Sequence, residues 1–275
     1  MTLSEKKQLQ LTACKVRMGI IESTYSAKCG HPGGSMSAAD LFTYLYFKEL
    51  NVNPANPKWE DRDRFVMSKG HCTVALYPTL ALRGFFDLEL LKTFRKADGH
   101  LSGHVEMKYV PGVDMSTGSL GQGFSTALGM ALAGRVSGKD YYTYAVLGDG
   151  EIAEGQIWEA CLYAGAHKLD HLIGIVDSNK VQLDGTTDEV MPLRDMAAKW
   201  RAFGYDVIEV ADGNDMQQVL DALHTPACPG KPRLIHLHTT KGKGVSFMEG
   251  KSAWHGKAID ADSYADAMKE LGGVQ

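Results

Sequence analysis

Two features that this sequence of 275 residues lacks limit what the protein can be. No segment approaches the roughly 18 consecutive apolar residues of a membrane-spanning helix. The net charge is only −4, which gives no electrostatic case for binding nucleic acid or an anionic membrane. The first residues, MTLSEKKQLQL, are typical of a polar helix start rather than of a signal peptide. We therefore expect a globular protein with neither kind of partner.

Cysteine is also scarce. The five cysteines are odd in number and form no CxxC pair, so neither a disulfide framework nor a zinc site is indicated. We interpret them as free thiols in a reducing compartment and expect a cytoplasmic protein. The chain has no low-complexity tract, no internal repeat and no evident linker, so we expect residues 1–275 to form a single domain with a sizeable core.

Short apolar runs alternate with helical segments along the chain. Runs typical of buried strands cover residues 64–67, 142–147, 172–176, 206–210 and 233–238. Helical periodicity covers residues 4–29, 87–95, 121–136, 154–169, 193–203, 216–223 and 262–271. This mostly βα order predicts a doubly wound α/β fold, in which a mostly parallel sheet carries helices on both faces.

Polar side chains follow two neighbouring strands of that predicted sheet. Gly148-Asp149-Gly150 comes directly after one strand, and Asn179 comes just after the next. Ligands of open α/β sheets bind beyond the carboxyl ends of the strands, so we expect both side chains at one crevice. Carboxylate and amide oxygens suit Mg²⁺, and the glycines allow a phosphate to approach the backbone. The alternative is a turn in which Asp149 caps a helix and Asn179 belongs to a β-turn.

Several histidines lie in turns or junctions between the predicted helices and strands. His31 is in a turn broken by glycine and proline, His71 follows a glycine at a strand-to-helix junction, and His255 lies between Trp254 and Gly256. Each is a candidate for a functional role, with a capping, surface or core histidine as the alternative. His104 lies in a long glycine-rich loop, residues 96–121, which we expect to be ordered and functional.

Two further interpretations concern local structure. Ser37 and Asp40 resemble a capping box that opens a helix. Lys241 and Lys243 lie in a glycine-rich loop, which we interpret as solvated, with a phosphate-binding patch as the alternative.

The GDG element followed by Asn179 resembles the metal–diphosphate motif of thiamine-diphosphate (ThDP) enzymes. Four other blocks resemble the N-terminal, diphosphate-binding half of transketolase, and all five occur in that family's order. They are GHPGGSMSAAD, MSKGHCTVALY, GHVEMKYVPGVDMSTGSLGQG and the terminal HG at residues 255–256. The α chain of a 2-oxo acid dehydrogenase would share the GDG and Asn element but not the histidines of the first two blocks.

The resemblance implies a role for each matching position. A Mg²⁺ ion, for which Ca²⁺ or Mn²⁺ could substitute, would be held by Asp149, Asn179 and the Val181 carbonyl. The diphosphate would be contacted by Gly150, His71 and His255. The thiamine would be lined by Gly118, Ser119, Leu120 and Leu183. The donor ketose and the reacting carbon would face His31, His104 and His255.

The resemblance also implies what this chain needs from elsewhere. In full-length transketolases, a pyrimidine-binding domain and a C-terminal domain follow, and the glutamate that activates ThDP lies in the former. We therefore expect a separately encoded partner subunit that carries both domains, in an α₂β₂ assembly. The implied reaction is transfer of a two-carbon ketol unit from a ketose (phosphate) to an aldose (phosphate).

Two alternatives stay open at this point. One is a subunit of a related ThDP enzyme, either 1-deoxyxylulose-phosphate-synthase-like or a sugar-catabolic ketolase. The other is a catalytically silent binding or regulatory subunit of the same fold. The presence of Asp149, Asn179 and all the block histidines argues against the silent form.

Overall fold

The computed structural model describes residues 1–273, and a five-stranded parallel sheet lies at its centre. The strands are β1 (Arg64–Met67), β2 (Thr143–Gly148), β3 (Leu172–Ser178), β4 (Asp206–Val210) and β5 (Arg233–His238). Their spatial order is β1-β2-β3-β5-β4. Every neighbouring pair runs parallel, as the alternation of strands and helices predicted.

Helices cover both faces of the sheet, which confirms the predicted fold class. The longer helices are α1 (Leu3–Ala27), α2 (Pro32–Tyr44), α3 (Thr73–Arg83), α4 (Gln122–Val136), α5 (Gly155–Ala166), α8 (Met216–Leu223) and α9 (Ala261–Gly272). The shorter helices are α6 (Thr187–Val190) and α7 (Met196–Ala202). One apolar core forms between the sheet and α1, α2, α3, α8 and α9, and a second forms against α4, α5 and α7.

The central strands are apolar on both sides because they are buried on both sides. In β3, Ile173 and Ile175 contribute to the first core, whereas Leu172 and Val176 contribute to the second. The same strand ends in Asp177 and Ser178, which are also buried. Because the strands are parallel and in register, their carboxyl ends meet at one edge of the sheet.

One local prediction was wrong, and two predicted helices are present with a different type or start. Ser37 and Asp40 do not cap a helix, because α2 begins at Pro32 and both side chains are buried in its interior. Proline is favoured in the first turn, where its missing N–H would have no helical partner. Residues 88–93 form a 3₁₀ helix rather than an α-helix. The helix predicted from residue 193 begins at Met196, after Asp195 caps it by accepting from the Ala198 N–H at 2.8 Å.

Asp40 instead takes part in a buried ion pair. The Arg17 guanidinium donates to both carboxylate oxygens of Asp40 and joins α1 to α2. Within residues 1–273, no helix combines the length and apolar character needed to cross a membrane.

Candidate active site

A cavity of about 350 Å³ opens at the carboxyl edge of the sheet. The predicted site residues that line it are His71, Gly118, Leu120, Asp149, Gly150, Asn179, Val181, Leu183 and His255. They come from the ends of β1 and β2, from the loop that precedes α4, and from the loops that follow β3 and β5. The structure therefore gathers into one cavity residues that are far apart in the sequence.

Asp149 is at the base of this cavity, directly after β2, and only 4% of its surface is exposed. One carboxylate oxygen accepts from the Gly150 N–H at 2.8 Å, and the other accepts from the Lys180 N–H at 2.6 Å. Burial and the nearby Asp177 carboxylate raise the pKa of Asp149 to about 6. A carboxylate held in this way favours a bound cation, because the cation would offset the cost of its buried charge.

Asn179 and Val181 present oxygen atoms beside Asp149. The Asn179 side-chain oxygen accepts from the Val181 N–H at 3.2 Å, and its amide nitrogen donates to the Ser37 hydroxyl at 3.3 Å. The Val181 carbonyl accepts from the Lys241 ammonium at 2.9 Å, and both residues line the same cavity. One carboxylate, one amide oxygen and one carbonyl form a hard-oxygen set that suits Mg²⁺ and leaves room for water or phosphate oxygens.

This donor set contains one acidic side chain only. Within residues 1–273, no cluster of three or more His, Cys, Asp or Glu side chains is arranged to hold a metal. Such a cluster consists only of these four side-chain types. It would not include the hard-oxygen set, because two of its three oxygens come from an amide side chain and a backbone carbonyl. The chemistry of these donors and the raised pKa of Asp149 fit a divalent cation that completes its coordination with a ligand.

The histidines form a cluster. Among the described residues, His71 and His255 line the cavity, whereas His31 and His104 pack against the cluster without lining it. The His31 ring centroid is 5.5 Å from those of both His71 and His255, and His71 stacks on His255 at 5.2 Å. His104 is 6.3 Å from His31 and packs beside Gly118. His100 lies in the same loop but stacks on Tyr109 instead. The loop is anchored by the buried side chains of Leu101, Val105 and Val110.

Burial makes these histidines poor bases in the free protein. It lowers the pKa of His31 and His71 to about 4 and that of His255 to about 3, and neighbouring cations and imidazoles add to the effect. The pKa of His104 is lowered for the same reason. The rings are therefore neutral near pH 7, so each offers one N–H donor and one nitrogen acceptor.

The interpretation of Lys241 as part of a solvated loop is wrong. Its side chain is 1% exposed, and its ammonium donates to the Val181 carbonyl at 2.9 Å and the Gln182 carbonyl at 3.1 Å. It also lies 3.0 Å from the Nδ1 atom of His255. Burial lowers its pKa to about 8. Lys241 is thus a buried cation in the wall of the cavity, whereas Lys243 pairs with Glu249 at the surface.

The wall formed by Gly118 and Leu120 is held by a buried carboxylate. Glu151 accepts from the backbone N–H groups of Gly121 at 2.9 Å and Gly148 at 3.0 Å, and from the Ser68 hydroxyl. It thereby joins the ends of two strands to the start of α4. Ser119, which the resemblance placed with these residues, is exposed.

Sequence reasoning missed Lys69, Asp177 and Glu151, all of which are buried at this edge. A signal for each was present in the chain. Lys69 is charged and lies inside the MSKGH block, and Asp177 interrupts an apolar strand. Glu151 directly follows the GDG element. A charged residue in an apolar strand indicates a buried partner, because an unpaired buried charge is too costly.

The lowered histidine pKa values predict that the protein loses stability in acid. Unfolded histidine has a pKa near 6.5, so between pH 6.5 and 4 the unfolded chain binds protons that folded His71 does not. The stability that this neutral ring contributes is complete above pH 6.5 and is lost as the pH falls towards 4. His71→Asn should therefore reduce the slope of the unfolding free energy against pH in this range by up to about 1.4 kcal/mol per pH unit.

Urea unfolding of the ligand-free chain at intervals from pH 7.5 to 4.5 measures this slope. His100→Asn is the matched control, because His100 lies outside the cluster. Parallel profiles for His71→Asn and the unsubstituted chain would contradict the prediction.

Comparison with known proteins identifies the family. Residues 9–274 match the family described as transketolase, thiamine diphosphate binding domain. The chain is 44% identical over 264 residues to an apulose-4-phosphate transketolase subunit of Phocaeicola vulgatus, covering 96% of this chain and 93% of that protein. It is also 44% identical over 271 residues to 6-deoxy-6-sulfo-D-fructose transketolase subunit SqwG of a Clostridium species, covering 98% of each.

Comparison with a solved structure identifies the same family. The fold superimposes on transketolase from Campylobacter jejuni with a TM-score of 0.92 and 34% identity, covering 99% of this chain and 43% of that one. The chain therefore spans less than half the length of that transketolase and nearly the whole length of the two subunits. From the sequence match, the superposition and the cavity, we conclude that the chain belongs to the transketolase family and corresponds to its thiamine-diphosphate-binding domain.

Proposed function

We propose that this chain is a single diphosphate-binding domain and the ThDP-binding subunit of a heteromeric transketolase. The complete enzyme would transfer a two-carbon ketol unit from a ketose (phosphate) to an aldose (phosphate). The observation that carries this proposal is that Asp149, Asn179, His71 and His255 line one cavity of about 350 Å³, with His31 packed against the two histidines. Family membership supports the cofactor.

The geometry supports separate roles for the residues that would bind the metal ion and those that would bind the diphosphate. Asp149, Asn179 and the Val181 carbonyl would hold Mg²⁺, while the Gly150 backbone, His71 and His255 would contact the diphosphate. The buried Lys241 ammonium adds positive charge to the wall of the cavity, which favours a polyanionic ligand. When bound, ThDP supplies the carbon nucleophile and the electron sink of the reaction.

The remaining histidines would act on the sugar. Neutral His31, His104 and His255 can donate hydrogen bonds to ketose hydroxyls, and the unprotonated nitrogen of each ring can accept one from the hydroxyl next to the bond that breaks. The ordered loop that carries His104 would help to exclude water from the reacting carbon.

A partner subunit would complete the open side of the cavity. Leu183 lines the cavity, yet 61% of its surface is exposed. Leu120 and Glu151, which shortly precede α4 and α5 in the chain, line the cavity. In the first turns of these helices, the Gln122 and Gln156 amides are hydrogen-bonded at 2.6 Å. These two helices contain one charged residue each, Arg135 and Glu159. They therefore lack the charged outer face that is typical of a surface helix.

The outward side chains of these helices form a surface that we call the α4–α5 face. Leu162 is 60% exposed, Val136 is 80% exposed and Tyr163 is 40% exposed. We assign this face to the chain that supplies the pyrimidine-binding and C-terminal domains, in an α₂β₂ assembly. The existence of a separate partner chain is supported because the two similar relatives of nearly equal length are named as transketolase subunits.

The substrates could be those of a specialised sugar pathway. The names of the two relatives refer to a sugar phosphate and a sulfosugar, both of which carry an anionic group. A sugar-catabolic ketolase is therefore the second candidate within the same reaction class. The five free cysteines support the cytoplasmic location that we propose for the enzyme.

Removal of the buried carboxylate should abolish metal-dependent cofactor binding. For Asp149→Ala, we expect ThDP affinity in the presence of Mg²⁺ to fall by more than about 100-fold, because loss of an outer-shell partner alone costs 10–100-fold. Isothermal titration measures the affinity, and far-ultraviolet circular dichroism checks the fold. Asp188→Ala, which removes an exposed carboxylate nearby, is the control. Unchanged affinity in Asp149→Ala would overturn the cofactor assignment.

His104→Ala should lower turnover more than cofactor affinity. A residue that donates to the substrate in the transition state changes kcat, whereas a cofactor contact changes the ThDP dissociation constant. We expect kcat to fall by roughly 10²-fold or more in the assembled enzyme, with the ThDP dissociation constant changed less than about threefold. His100→Ala, in the same loop, is the control. Equal losses in both quantities would move His104 to the cofactor.

A charge on the α4–α5 face should prevent assembly. Leu162→Glu would bury a carboxylate in an apolar interface, so we expect co-purification of the partner subunit to fall at least about tenfold while the chain itself stays folded. Native mass spectrometry of the tagged chain from its own cells measures the partner and its stoichiometry. Leu3→Glu, at a 90% exposed position on α1, is the control. An undiminished complex in Leu162→Glu would exclude this face.

A further inference from the structure

A buried polar network lies behind Asn179 and involves residues to which no function has so far been assigned. Ser37 on α2, Asp177 at the end of β3 and Lys69 after β1 are at most 1% exposed. The Ser37 hydroxyl is 2.7 Å from one oxygen of Asp177, and the Lys69 ammonium donates to the same oxygen. Thr239 donates to the other oxygen of Asp177.

The network determines the direction of the hydrogen bond between Ser37 and Asn179. Besides the Asn179 amide nitrogen at 3.3 Å, the Ser37 oxygen has two close partners, the Asp177 carboxylate at 2.7 Å and the Gly34 carbonyl at 3.0 Å. Both of these groups can only accept. The single proton of Ser37 must therefore go to one of them, and the shorter distance favours Asp177. Towards Asn179, Ser37 can only accept.

This direction decides which way the Asn179 amide faces. The oxygen and the NH₂ group of an asparagine have nearly the same shape, so only their hydrogen bonds distinguish the two orientations. Ser37 takes the NH₂ group, and the Val181 N–H donates to the oxygen at 3.2 Å. The oxygen is thereby directed away from α2, on the side where Asn179 borders the cavity. The reversed amide would present NH₂ protons to a cation.

We propose that Ser37, oriented by Asp177, is a positioning residue that holds the Asn179 oxygen ready to bind a divalent cation. This inference rests on the metal site of the proposed function. Lys69 stabilises the arrangement, because a buried Asp177 carboxylate without a cation would be costly and would repel Asp149. Burial alone would lower the pKa of Lys69, but the adjacent Asp177 carboxylate raises it above its ordinary value. Lys69 therefore stays charged.

A double-substitution cycle tests the inference. Replacement of Asn179 by aspartate gives a side chain whose two oxygens are equivalent, so its orientation no longer matters. Mn²⁺ affinity is measured by electron paramagnetic resonance on the chain assembled with its partner subunit, with saturating ThDP. We expect Ser37→Ala to weaken Mn²⁺ binding roughly 10–100-fold in the natural background, as for other outer-shell partners, but less than about threefold in the Asn179→Asp background.

Ser35→Ala is the matched control, because Ser35 is a fully buried serine of α2 whose hydroxyl donates to the His31 carbonyl. It should leave Mn²⁺ affinity unchanged, and thermal unfolding without ligand should give similar midpoints for both alanine variants. An equal loss in both backgrounds would show a general structural role and overturn the inference. So would unchanged affinity in Ser37→Ala when Asp149→Ala abolishes binding. No Mn²⁺ binding by the unsubstituted assembled enzyme would overturn the proposed function as well.

Discussion

The parallel direction of the strands is the constraint on which the candidate site depends. β1, β2, β3 and β5 end at the same edge, and each is followed there by polar residues. If β3 ran antiparallel to β2, it would end at the opposite edge of the sheet, and Asn179 would lie there, away from Asp149. Asp149 and Asn179 meet only because the helix between their strands returns the chain to the start of the sheet.

The buried charged groups at this edge of the sheet differ in how well a neighbouring opposite charge compensates them. Lys69 and Asp177 neutralise one another out of contact with solvent. Asp149 and Lys241 are less well compensated: burial raises the pKa of the first to about 6 and lowers that of the second to about 8. A cation bound to oxygen atoms and an anion bound to it would relieve both groups. This electrostatic state is therefore suited to a metal–diphosphate ligand.

Most of the fold could be predicted because periodicity and apolar runs are local. The five strands and the helix after the GDG element follow from residues that are close in sequence. The start of α2 could not be predicted from Ser37 and Asp40, since a capping pattern is also compatible with a buried helix interior. Their burial comes from contacts with Arg17 and Asp177, which are distant in the chain.

The sequence by itself determined the family, the fold class and the residues that the family's blocks contain. It could do so because motif spacing and strand order are properties of the chain. Only the tertiary structure decided that Lys241 is buried, that the histidines are neutral and that Ser37 orients Asn179. These properties depend on desolvation and on hydrogen-bond geometry between segments, and neither is encoded in any one segment.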